Sequence, residues 1–379
     1  MRDFVITSES VTAGHPDKLC DQISDAVVDA YLAAGVRAGV VAECALASGV
    51  AFLSVRAGAE APVDLAALAR RVIAEAGYNA GGPGRAPTVM LDLSHAAEMA
   101  DVAAAPMRAR HMVSAFGYAC GQTGTQMPYP IWAAHRLTAA MDAARREGRL
   151  DWLVPDGQAQ VAVGFADRRP VTLRAIALTF GVAGERDDAQ LEQELLDRVV
   201  RPALAGQGPE MTGETRLVLA PVRGPTGPAA HSGLTGRKAA DDAYGSFIRR
   251  SGAALSGKDP SRIDRIAAYA ARQAARALVT AGLAGECEVQ LSYIVGDEGP
   301  ASVEVDSYGS GAVPDARLSV RLREVMDFRV GAIVEAMDLW GLPGARDGRF
   351  YRDLATYGHL GRDELSPPWE DMALARALA

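Results

Sequence analysis

Cysteines, aromatic residues and long apolar runs are scarce in this chain of 379 residues. Its four cysteines, Cys20, Cys44, Cys120 and Cys287, are scattered along the sequence and form no CxxC pair or metal-type spacing. We interpret them as small buried thiols of a protein from a reducing compartment. No apolar run approaches the length of about 18 residues that a membrane-spanning helix needs, and the N-terminus has no basic-then-apolar signal pattern. These features predict a cytoplasmic protein without a membrane partner.

An excess of positive charge is also missing. The formal net charge is -8, with 47 acidic against 39 basic residues, which argues against a general nucleic-acid-binding function. Hydrophobic residues make up 49% of the chain and charged residues 23%, a balance typical of an ordered globular protein. A chain of this length is too long for one simple core, and it is long enough for two or three compact units.

A common order of elements occurs three times along the sequence. Each time, a long helical pattern is followed by two strand-like runs and then by a second helical pattern. The predicted elements are 17–34, 38–48, 49–55 and 64–76 in the first set, 131–147, 158–165, 171–179 and 189–200 in the second, and 262–281, 286–294, 302–307 and 316–326 in the third. This order predicts an α+β protein of three similar domains with pseudo-threefold symmetry. Because the sets share no visible sequence identity, a chance succession of elements stays open.

Three segments show no regular periodicity, namely 80–87, 94–110 and 206–213. The second of them is rich in methionine and alanine and directly precedes the sequence "FGYACG". Long irregular segments inside compact domains often cover a binding site. We therefore interpret the segment before "FGYACG" as a candidate active-site lid.

The sequence Gly14-His15-Pro16-Asp17-Lys18 stands at the start of the first helical pattern. Proline suits the first position of a helix because its missing N–H has no partner there. A helix start presents free N–H groups and a partial positive charge, which attract an anion such as phosphate, and His15 and Lys18 add donors. Asp17 would fit the same place if a divalent cation were also bound. A capped helix with solvated charges is the alternative interpretation of this motif.

Two later segments combine glycines with cations. In "SGLTGRK", Arg237 and Lys238 follow a glycine-rich turn, and in "SGAALSGKDPSRID" the residues 252–258 fit the phosphate-loop pattern GxxxxGK. The pattern is not followed by Ser or Thr, and a helix-like segment precedes it, so we do not predict an ordinary nucleotide-binding P-loop. Exposed backbone N–H groups with Lys258 and Arg262 still favour anion binding. Asp264, which follows them, would complement Asp17 as a metal ligand.

The three segments together contain the inventory of a polyphosphate site. Six donors or cations accompany two acids, which suits a polyphosphate partly neutralised by Mg²⁺. The residues are His15, Lys18, Arg237, Lys238, Lys258 and Arg262, with Asp17 and Asp264 as the acids. Because the segments lie far apart along the chain, their convergence in space is a hypothesis.

These segments carry a resemblance to a known family. The sequences "TSESVTAGHPDKLCDQISDA", "FGYACGQTGTQMPYPIWAAHRL", "GLTGRK", "SGKDPSRIDRIAAYAAR" and "YGHLGR" resemble the signature segments of S-adenosylmethionine synthetase, also called methionine adenosyltransferase. The similarity extends over nearly the whole chain, and the segments are long and specific. The family's reaction moves the adenosyl group of ATP onto the sulfur of methionine and releases triphosphate, which the enzyme then hydrolyses.

The resemblance implies three similar α+β domains built from non-contiguous segments. On this basis we expect a first domain of residues 1–12 and 122–226, a second of 13–91 and 227–266, and a third of 109–121 and 267–379, with 92–108 as the lid. It also implies a homodimer, or a dimer of dimers, with active sites at the subunit interface. The expected small-molecule partners are ATP and a nucleophilic acceptor, and the expected metal ions are Mg²⁺ and K⁺.

Roles for individual residues follow from the positions that match. His15 would stabilise charge on the departing 5′ oxygen of the ribose, and Asp156 in "LVPDGQ" would lie beside the nucleoside. Glu43 in "VVAECAL" would lie at the K⁺ site. The family pattern assigns Mg²⁺ to Asp17 and Asp264, and triphosphate to Arg237, Lys238, Lys258 and Arg262. Arg262 stands where the family usually has lysine, so the charge is kept but the contact geometry is not.

Five departures from the family pattern concern mainly the acceptor pocket. His111 replaces an aspartate that contacts the substrates near the ribose. Arg56 replaces a carboxylate that receives the methionine ammonium, and His231 replaces a second such acid. The segment 92–110 has no glutamine, although the family uses one there for methionine. Gln158 replaces a phosphate-binding lysine, which puts triphosphate hydrolysis in doubt.

The change from a carboxylate to Arg56 reverses the local charge by two units. At a separation of 4 Å and an effective dielectric constant of 20, each pair of unit charges interacts by roughly 4 kcal/mol. The sequence therefore predicts an acceptor other than methionine, with an anionic or uncharged group facing Arg56 and His231. Two alternatives stay open: an ordinary methionine adenosyltransferase in which other acids such as Glu9 or Asp101 take over, and an inactive nucleotide-binding regulatory homologue.

Overall fold

The structure is a computed structural model that describes residues 3–78 and 87–378. Within these ranges no helix is both long and apolar enough to cross a membrane. The predicted irregular segment 80–87 lies outside the described residues except for its last position. Most of the described chain belongs to three β-sheets and the helices packed on them.

The helices of the described chain are short apart from three helices of 18 residues each. In chain order they are α1 Pro16–Ala33, α2 Leu65–Glu75, α3 Tyr129–Arg146, α4 Asp188–Leu195, α5 Arg201–Leu204, α6 Ile263–Thr280, α7 Asp315–Val325, α8 Val330–Ala336, α9 Leu342–Ala345, α10 Tyr351–Leu354 and α11 Ala373–Leu378. Short 3-10 turns occur at Ala97–Met99, Gly227–Ala229, Asp363–Leu365 and Pro368–Glu370, and a π turn at Leu196–Val200 connects α4 to α5.

The strands form three separate sheets. In chain order they are β1 Asp3–Val11, β2 Val40–Ala47, β3 Val50–Ala57, β4 Thr88–His95, β5 Val113–Cys120, β6 Leu153–Ala166, β7 Arg169–Val182, β8 Arg216–Arg223, β9 Gly233–Leu234, β10 Glu286–Tyr293 and β11 Ser302–Asp306. The strand orders are β1-β6-β7-β8, β4-β3-β2-β9 and β11-β10-β5. Each sheet thus combines a local hairpin with at least one strand from a distant part of the chain.

The predicted threefold repeat of elements is confirmed. The successions α1-β2-β3-α2, α3-β6-β7-α4 and α6-β10-β11-α7 have the same order, and each hairpin is antiparallel. Each hairpin also pairs with one distant antiparallel strand, which is β9, β1 or β5. The fold is therefore α+β with three similar sheet-and-helix units. The exact domain boundaries stay a prediction.

Helix α1 shows why the sequence pattern predicted these elements well. Its N-terminal turn begins at Pro16, and the side chain of His15 caps it by accepting a hydrogen bond from the backbone N–H of Asp17. Leu19, Ile23 and Val27 share one face of the helix, which is buried against β2, and Gly35 ends the helix with a φ of +77°, a conformation that glycine adopts without steric cost. The helix pattern therefore located both the start and the end of α1.

Five strands, β1, β4, β5, β8 and β9, and the C-terminal helices were absent from the sequence expectation. Strand β4 includes Ser94 and His95, which were expected in an irregular segment, because β3 supplies parallel ladder partners along its whole length. Strands β1, β5 and β8 likewise pair with hairpin strands far away in sequence. Helices α8 to α11 follow the third repeat and have no counterpart in the first two. A strand whose pairing partner is this distant in sequence shows no local sequence pattern that predicts the pairing.

The core lies where the long helices cross the inner faces of the sheets. Helix α6 packs against β5 through an alanine-rich face that is completely buried. The approach is so close that a Cβ on Gly117 would lie 2.0 Å from the carbonyl carbon of Ala271. Small residues on both elements permit this contact, which joins the "FGYACG" strand to the helix that carries Asp264.

Candidate active site

The N-terminus of α1 and the "SGLTGRK" segment come together in the structure. Strand β9 pairs with β2 beside α1, and the backbone N–H of Leu234 donates a hydrogen bond of 3.0 Å to the carboxylate of Asp17. The same carboxylate lies 3.3 Å from the guanidinium of Arg237 and 3.7 Å from the ammonium of Lys238. Two of the three predicted segments thus form one cluster of charged groups, which we call the first cluster.

The imidazole of His15 lies in the same cluster. Burial lowers the pKa of His15 to about 3, against the effect of Asp156, and the positive charge of Lys238 acts in the same direction as burial. The ring is therefore neutral at physiological pH. A neutral imidazole can donate one hydrogen bond to a developing negative charge without repelling Mg²⁺.

Asp156 and His231 complete the first cluster. The carboxylate of Asp156, on β6, accepts a hydrogen bond of 2.8 Å from the backbone N–H of Gly227 and lies 3.0 Å from Nε2 of His231. The imidazole of His231 is tilted toward that of His15, and the ring centroids are 4.9 Å apart. The residue predicted to lie beside the nucleoside is therefore a neighbour of the predicted catalytic histidine.

Lys18 does not face the first cluster. Its side chain is buried, with its ammonium 3.0 Å from Asp21 and in an ion pair with Asp242 on a distant segment. Burial opposes its charge, but the two carboxylates raise the pKa of Lys18 above its usual value. Lys18 is thus a buried cation that joins α1 to the segment after "GLTGRK", and its contact with triphosphate stays a prediction.

The third predicted segment forms a second cluster. The ammonium of Lys258 lies 3.1 Å from the carboxylate of Asp264, and Nε2 of His111 lies 2.7 Å from the same carboxylate. Burial raises the pKa of Asp264, but the hydrogen bond from His111 and the charge of Lys258 outweigh it and lower the value to about 2. Gly257 turns the chain into this cluster with a φ of +77°.

The two clusters lie apart within one chain. Leu234 pairs with Ala45 and Lys258 pairs with Val41, four residues away along the same edge of β2. At the usual rise per residue this is about 13 Å along the strand. Arg262 precedes α6, and its Nε is buried without a hydrogen-bond partner among the described residues. The described part of a single chain therefore brings the donors into two groups rather than into one.

Arg56, His111 and His231, which were predicted to line the acceptor pocket, share one property: each contacts a carboxylate. His231 pairs with Asp156, and His111 pairs with Asp264. Arg56 on β3 pairs with Glu98 in the 3-10 turn of the lid segment. Sequence reasoning missed Glu98, because an isolated acid in an irregular segment shows no pattern that indicates its partner.

Glu9 and Asp101 are the acids that were expected to take over if methionine remained the acceptor. Glu9 on β1 accepts hydrogen bonds from Gln158 at 3.3 Å and from Gln160 at 2.7 Å, on the exposed face of the β1-β6-β7-β8 sheet. Gln158, which was expected to replace a phosphate-binding lysine, is thus bound to a neighbouring strand. Asp101 is exposed in the lid segment.

The outer face of the β4-β3-β2-β9 sheet carries an apolar row that the described residues leave uncovered. Met90, Phe52, Ala45 and Leu234 form one row across all four strands, and Phe52 is 44% exposed. The next row carries Glu43, whose carboxylate is exposed. We call this surface the outer sheet face.

The carboxylates in both clusters suit a hard divalent cation. Asp17 and Asp264 provide buried oxygen ligands, and the low pKa of Asp264 keeps it ionised at neutral pH. The cations around each carboxylate match the phosphate groups that would accompany a metal ion. Glu43 provides one exposed carboxylate for a monovalent cation.

Comparison with known proteins agrees with this arrangement. The family models of the S-adenosylmethionine synthetase N-terminal, central and C-terminal domains match residues 3–91, 107–223 and 226–371. The S-adenosylmethionine synthase of Synechococcus sp. is 41% identical, with 98% of each chain covered. Those of Parasynechococcus marenigrum and Crocosphaera subtropica are 40% and 38% identical, and cover 98% and 97% of this chain and 95% of their own. The chain therefore belongs to the S-adenosylmethionine synthetase family, a family of ATP-dependent transferases.

Proposed function

We propose that this protein transfers the adenosyl group of ATP to a small nucleophile and releases triphosphate. The observation that supports this most directly is the first cluster, in which Asp17, Arg237 and Lys238 meet at the N-terminus of α1 beside His15. A helix N-terminus with two cations and an ionised carboxylate binds phosphate groups together with a metal ion. The nucleophile attacks the 5′ carbon of the ribose, and the bond to the triphosphate oxygen breaks.

In this proposal the residues around the ribose act mainly by position and charge. His15 donates a hydrogen bond from its neutral ring to the departing oxygen, and Asp156 lies beside the nucleoside. Arg237 and Lys238 neutralise charge that accumulates on the triphosphate. Alignment of the nucleophile with the 5′ carbon lowers the remaining activation barrier. No covalent enzyme intermediate is needed.

The second cluster would complete the site from a second copy of the chain. Lys258 pairs with β2 four residues away from the position that Leu234 occupies, so the second cluster is displaced along β2 from the first cluster of its own chain. The outer sheet face, with its uncovered row of Phe52 and Met90, is an apolar surface of the kind that homodimers bury. We therefore propose a homodimer in which the first cluster of one copy faces the second cluster of the other.

Two metal ions fit the carboxylates. Asp17 and Asp264 would hold Mg²⁺ together with triphosphate oxygens, and Glu43 would provide one ligand for K⁺. When bound, Mg²⁺ neutralises charge on the triphosphate and makes it a better leaving group. The low pKa of Asp264 supports its part in this assignment.

For the acceptor, we propose a nucleophile without a free ammonium group. Glu98, Asp156 and Asp264 each contact a cation or a histidine. None of these three carboxylates is therefore left to receive an ammonium, and a group that is uncharged or anionic meets less repulsion from Arg56. A thioether or thiol that lacks an α-amino group has this chemistry.

Methionine is the second candidate acceptor, and a different observation favours it. Glu98 neutralises Arg56, so the reversal of charge expected from the sequence is smaller in the folded protein. The matched relatives are also named S-adenosylmethionine synthase. An inactive regulatory homologue is not favoured, because His15, Asp17 and Asp264 are all present.

The test is triphosphate release from ATP with Mg²⁺ and K⁺, measured with methionine, with thioethers and thiols that lack the amino group, and with no acceptor. We expect the amino-free acceptors to give the higher kcat/KM. Efficient formation of S-adenosylmethionine with methionine alone would overturn the altered acceptor and leave adenosyl transfer intact. ATP binding without cleavage under all these conditions would overturn the enzymatic proposal itself.

A further inference from the structure

His15, Asp156 and His231 form a group that the proposed reaction does not require as a unit. One nitrogen or oxygen atom from each of the three lies within 4.8 Å of those of the other two. In the described part of the chain this is the one group of three or more histidine, cysteine or acidic side chains with such spacing. It joins α1, β6 and the loop before β9, which are fixed by the fold rather than by a flexible terminus.

The donor atoms of this group favour a particular class of metal ion. Two imidazole nitrogens and one carboxylate oxygen suit Zn²⁺, Co²⁺ or Ni²⁺, whereas Mg²⁺ prefers oxygen ligands alone. Three protein ligands leave a fourth tetrahedral position open to water or a ligand. His231 and Asp156 already lie 3.0 Å apart, close to the separation of two ligands on one tetrahedral ion, and the ion would replace the proton that they share.

Neighbouring groups support the ligands. The backbone N–H of Gly227 donates to Asp156 and fixes that carboxylate at 2.8 Å. Nδ1 of His15 faces both the backbone N–H of Asp17 at 3.2 Å and the carboxylate of Asp17 at 3.9 Å. In the structure Nδ1 accepts the backbone N–H of Asp17, so binding of the ion through Nε2 would require the ring proton to move to Nδ1, on the side of the Asp17 carboxylate. The charges of Arg237 and Lys238 are offset there by contact with Asp17.

The second cluster has a histidine and a carboxylate but does not contain three side chains that could bind one metal ion. In that cluster the ammonium of Lys258 lies 3.1 Å from the carboxylate of Asp264 and already supplies a positive charge where a metal ion would bind. His111 contacts the same carboxylate, so it provides a single histidine ligand. The second cluster is therefore an ion-pair cluster, whereas the carboxylate of Asp156 lies near two imidazoles.

We propose that His15, Asp156 and His231 bind a transition-metal ion of the Zn²⁺ class at a site separate from the carboxylates expected to hold Mg²⁺. Because His15 and Asp156 also belong to the proposed nucleotide site, the ion and ATP would exclude one another. His231 makes the site possible, since at this position the family pattern has an acid, which would leave only one histidine. The inference concerns metal binding by the free protein and does not require that the proposed reaction occurs.

The test uses the full-length protein after metals have been removed with a chelator. Zn²⁺ binding is measured by titration calorimetry, and Co²⁺ binding by visible absorption, because four-coordinate Co²⁺ absorbs more strongly than the hydrated ion. We expect saturable uptake of one ion per chain and a tetrahedral Co²⁺ spectrum. In His231→Ala, affinity should fall by about tenfold or more, a loss at least as large as that from removing a supporting group. His231 is exposed, so this variant should fold, as far-UV circular dichroism would verify.

His95→Ala is the matched control. His95 is also exposed and lies 3.3 Å from the carboxylate of Glu60, but it is not part of a group of three ligands in the described chain. Its removal should leave the Zn²⁺ affinity unchanged. Equal affinities of the native protein and His231→Ala, or a hydrated Co²⁺ spectrum, would overturn the metal site. Triphosphate release with Mg²⁺ would be unaffected by that outcome, so the two proposals fail separately.

Discussion

Arg56 on β3 forms an ion pair with Glu98, which lies 42 residues further along the chain in the 3-10 turn Ala97–Met99 of the predicted lid segment. Arg110 contacts the backbone carbonyl of Glu98 at 2.7 Å, so two arginines hold this turn beside the sheet. Both partners of the ion pair are more than half exposed, and such pairs contribute little to stability, roughly 0.2–1 kcal/mol. In the proposed site, the pair would matter mainly for the charge that an acceptor meets.

The double variant Arg56→Glu/Glu98→Gln tests this effect on specificity. It introduces a free carboxylate at the position where the resemblance implies an ammonium-binding acid, and it avoids placing two acids side by side. We expect kcat/KM for methionine to rise about tenfold relative to amino-free acceptors, which corresponds to about 1.4 kcal/mol. Glu98→Gln alone is the control and should not favour methionine. An unchanged ratio would show that Arg56 does not face the acceptor.

Substitution of His15 by alanine tests its role in cleavage. The ring is neutral and its proposed hydrogen bond strengthens only as the triphosphate departs, so the variant should lose rate more than affinity. We expect single-turnover triphosphate release to slow by about 100-fold or more, the usual effect of removing one such donor, with ATP binding changed only slightly. The two quantities are measured by rapid quench and equilibrium dialysis. Equal losses in both would contradict the catalytic role.

Phe52→Asp tests the homodimer. Phe52 lies in the middle of the apolar row on the outer sheet face, and a buried charge there would oppose association. We expect the variant to be monomeric by light scattering after size exclusion, and to have lost triphosphate release. Val320→Asp, at a comparably exposed apolar position on α7, is the control and should remain a dimer. An active monomeric variant would show that one chain contains the complete site.

His135 makes the stability depend on pH. Burial is the main reason that the pKa of His135, on α3, falls from 6.5 to about 3, and its Nδ1 is bound to the hydroxyl of Ser10 at 2.8 Å. Between these two values the unfolded chain takes up a proton at His135 that the folded protein does not. The free energy of unfolding should therefore decrease as the pH falls below 6.5, by about 1.4 kcal/mol per pH unit from this residue.

Urea unfolding of His135→Gln at a series of pH values measures this contribution. The variant keeps a side chain that can bind Ser10 but does not titrate, so its stability should decline less steeply over the same pH range. His95→Gln, at an exposed position, should follow the native protein. Parallel pH profiles for the native protein and His135→Gln would mean that His135 is protonated in the folded state.

Much of the fold followed from local sequence patterns. Helix α1 and strands β10 and β11 begin and end within one or two residues of their predicted bounds. Strands β1 and β8 were not predicted, because each becomes a strand only by pairing with a hairpin that is distant in sequence. Their identity depends on ladder hydrogen bonds rather than on propensity.

The candidate site divides in the same way. The types of residue in "GHPDK", "GLTGRK" and "SGKDP" indicated a phosphate site, and the structure places the first two segments together. It also pairs Lys18 with Asp242, 224 residues away, and Arg56 with Glu98, and no local pattern indicates either partner. A charge affects a substrate only if its own partner does not neutralise it, and that partner is set by packing.

The sequence by itself determined the threefold succession of helix, hairpin and helix, the family, and the chemical types gathered at the phosphate-binding segments. Only the tertiary structure decided which cations remain open to a ligand, that Leu234 and Lys258 pair with β2 at positions about 13 Å apart, and that His231 contacts both Asp156 and His15. The reason is physical. Periodicity and caps act over a few residues, whereas the strength of a charge depends on distance and burial, which exist only once the sheets have assembled.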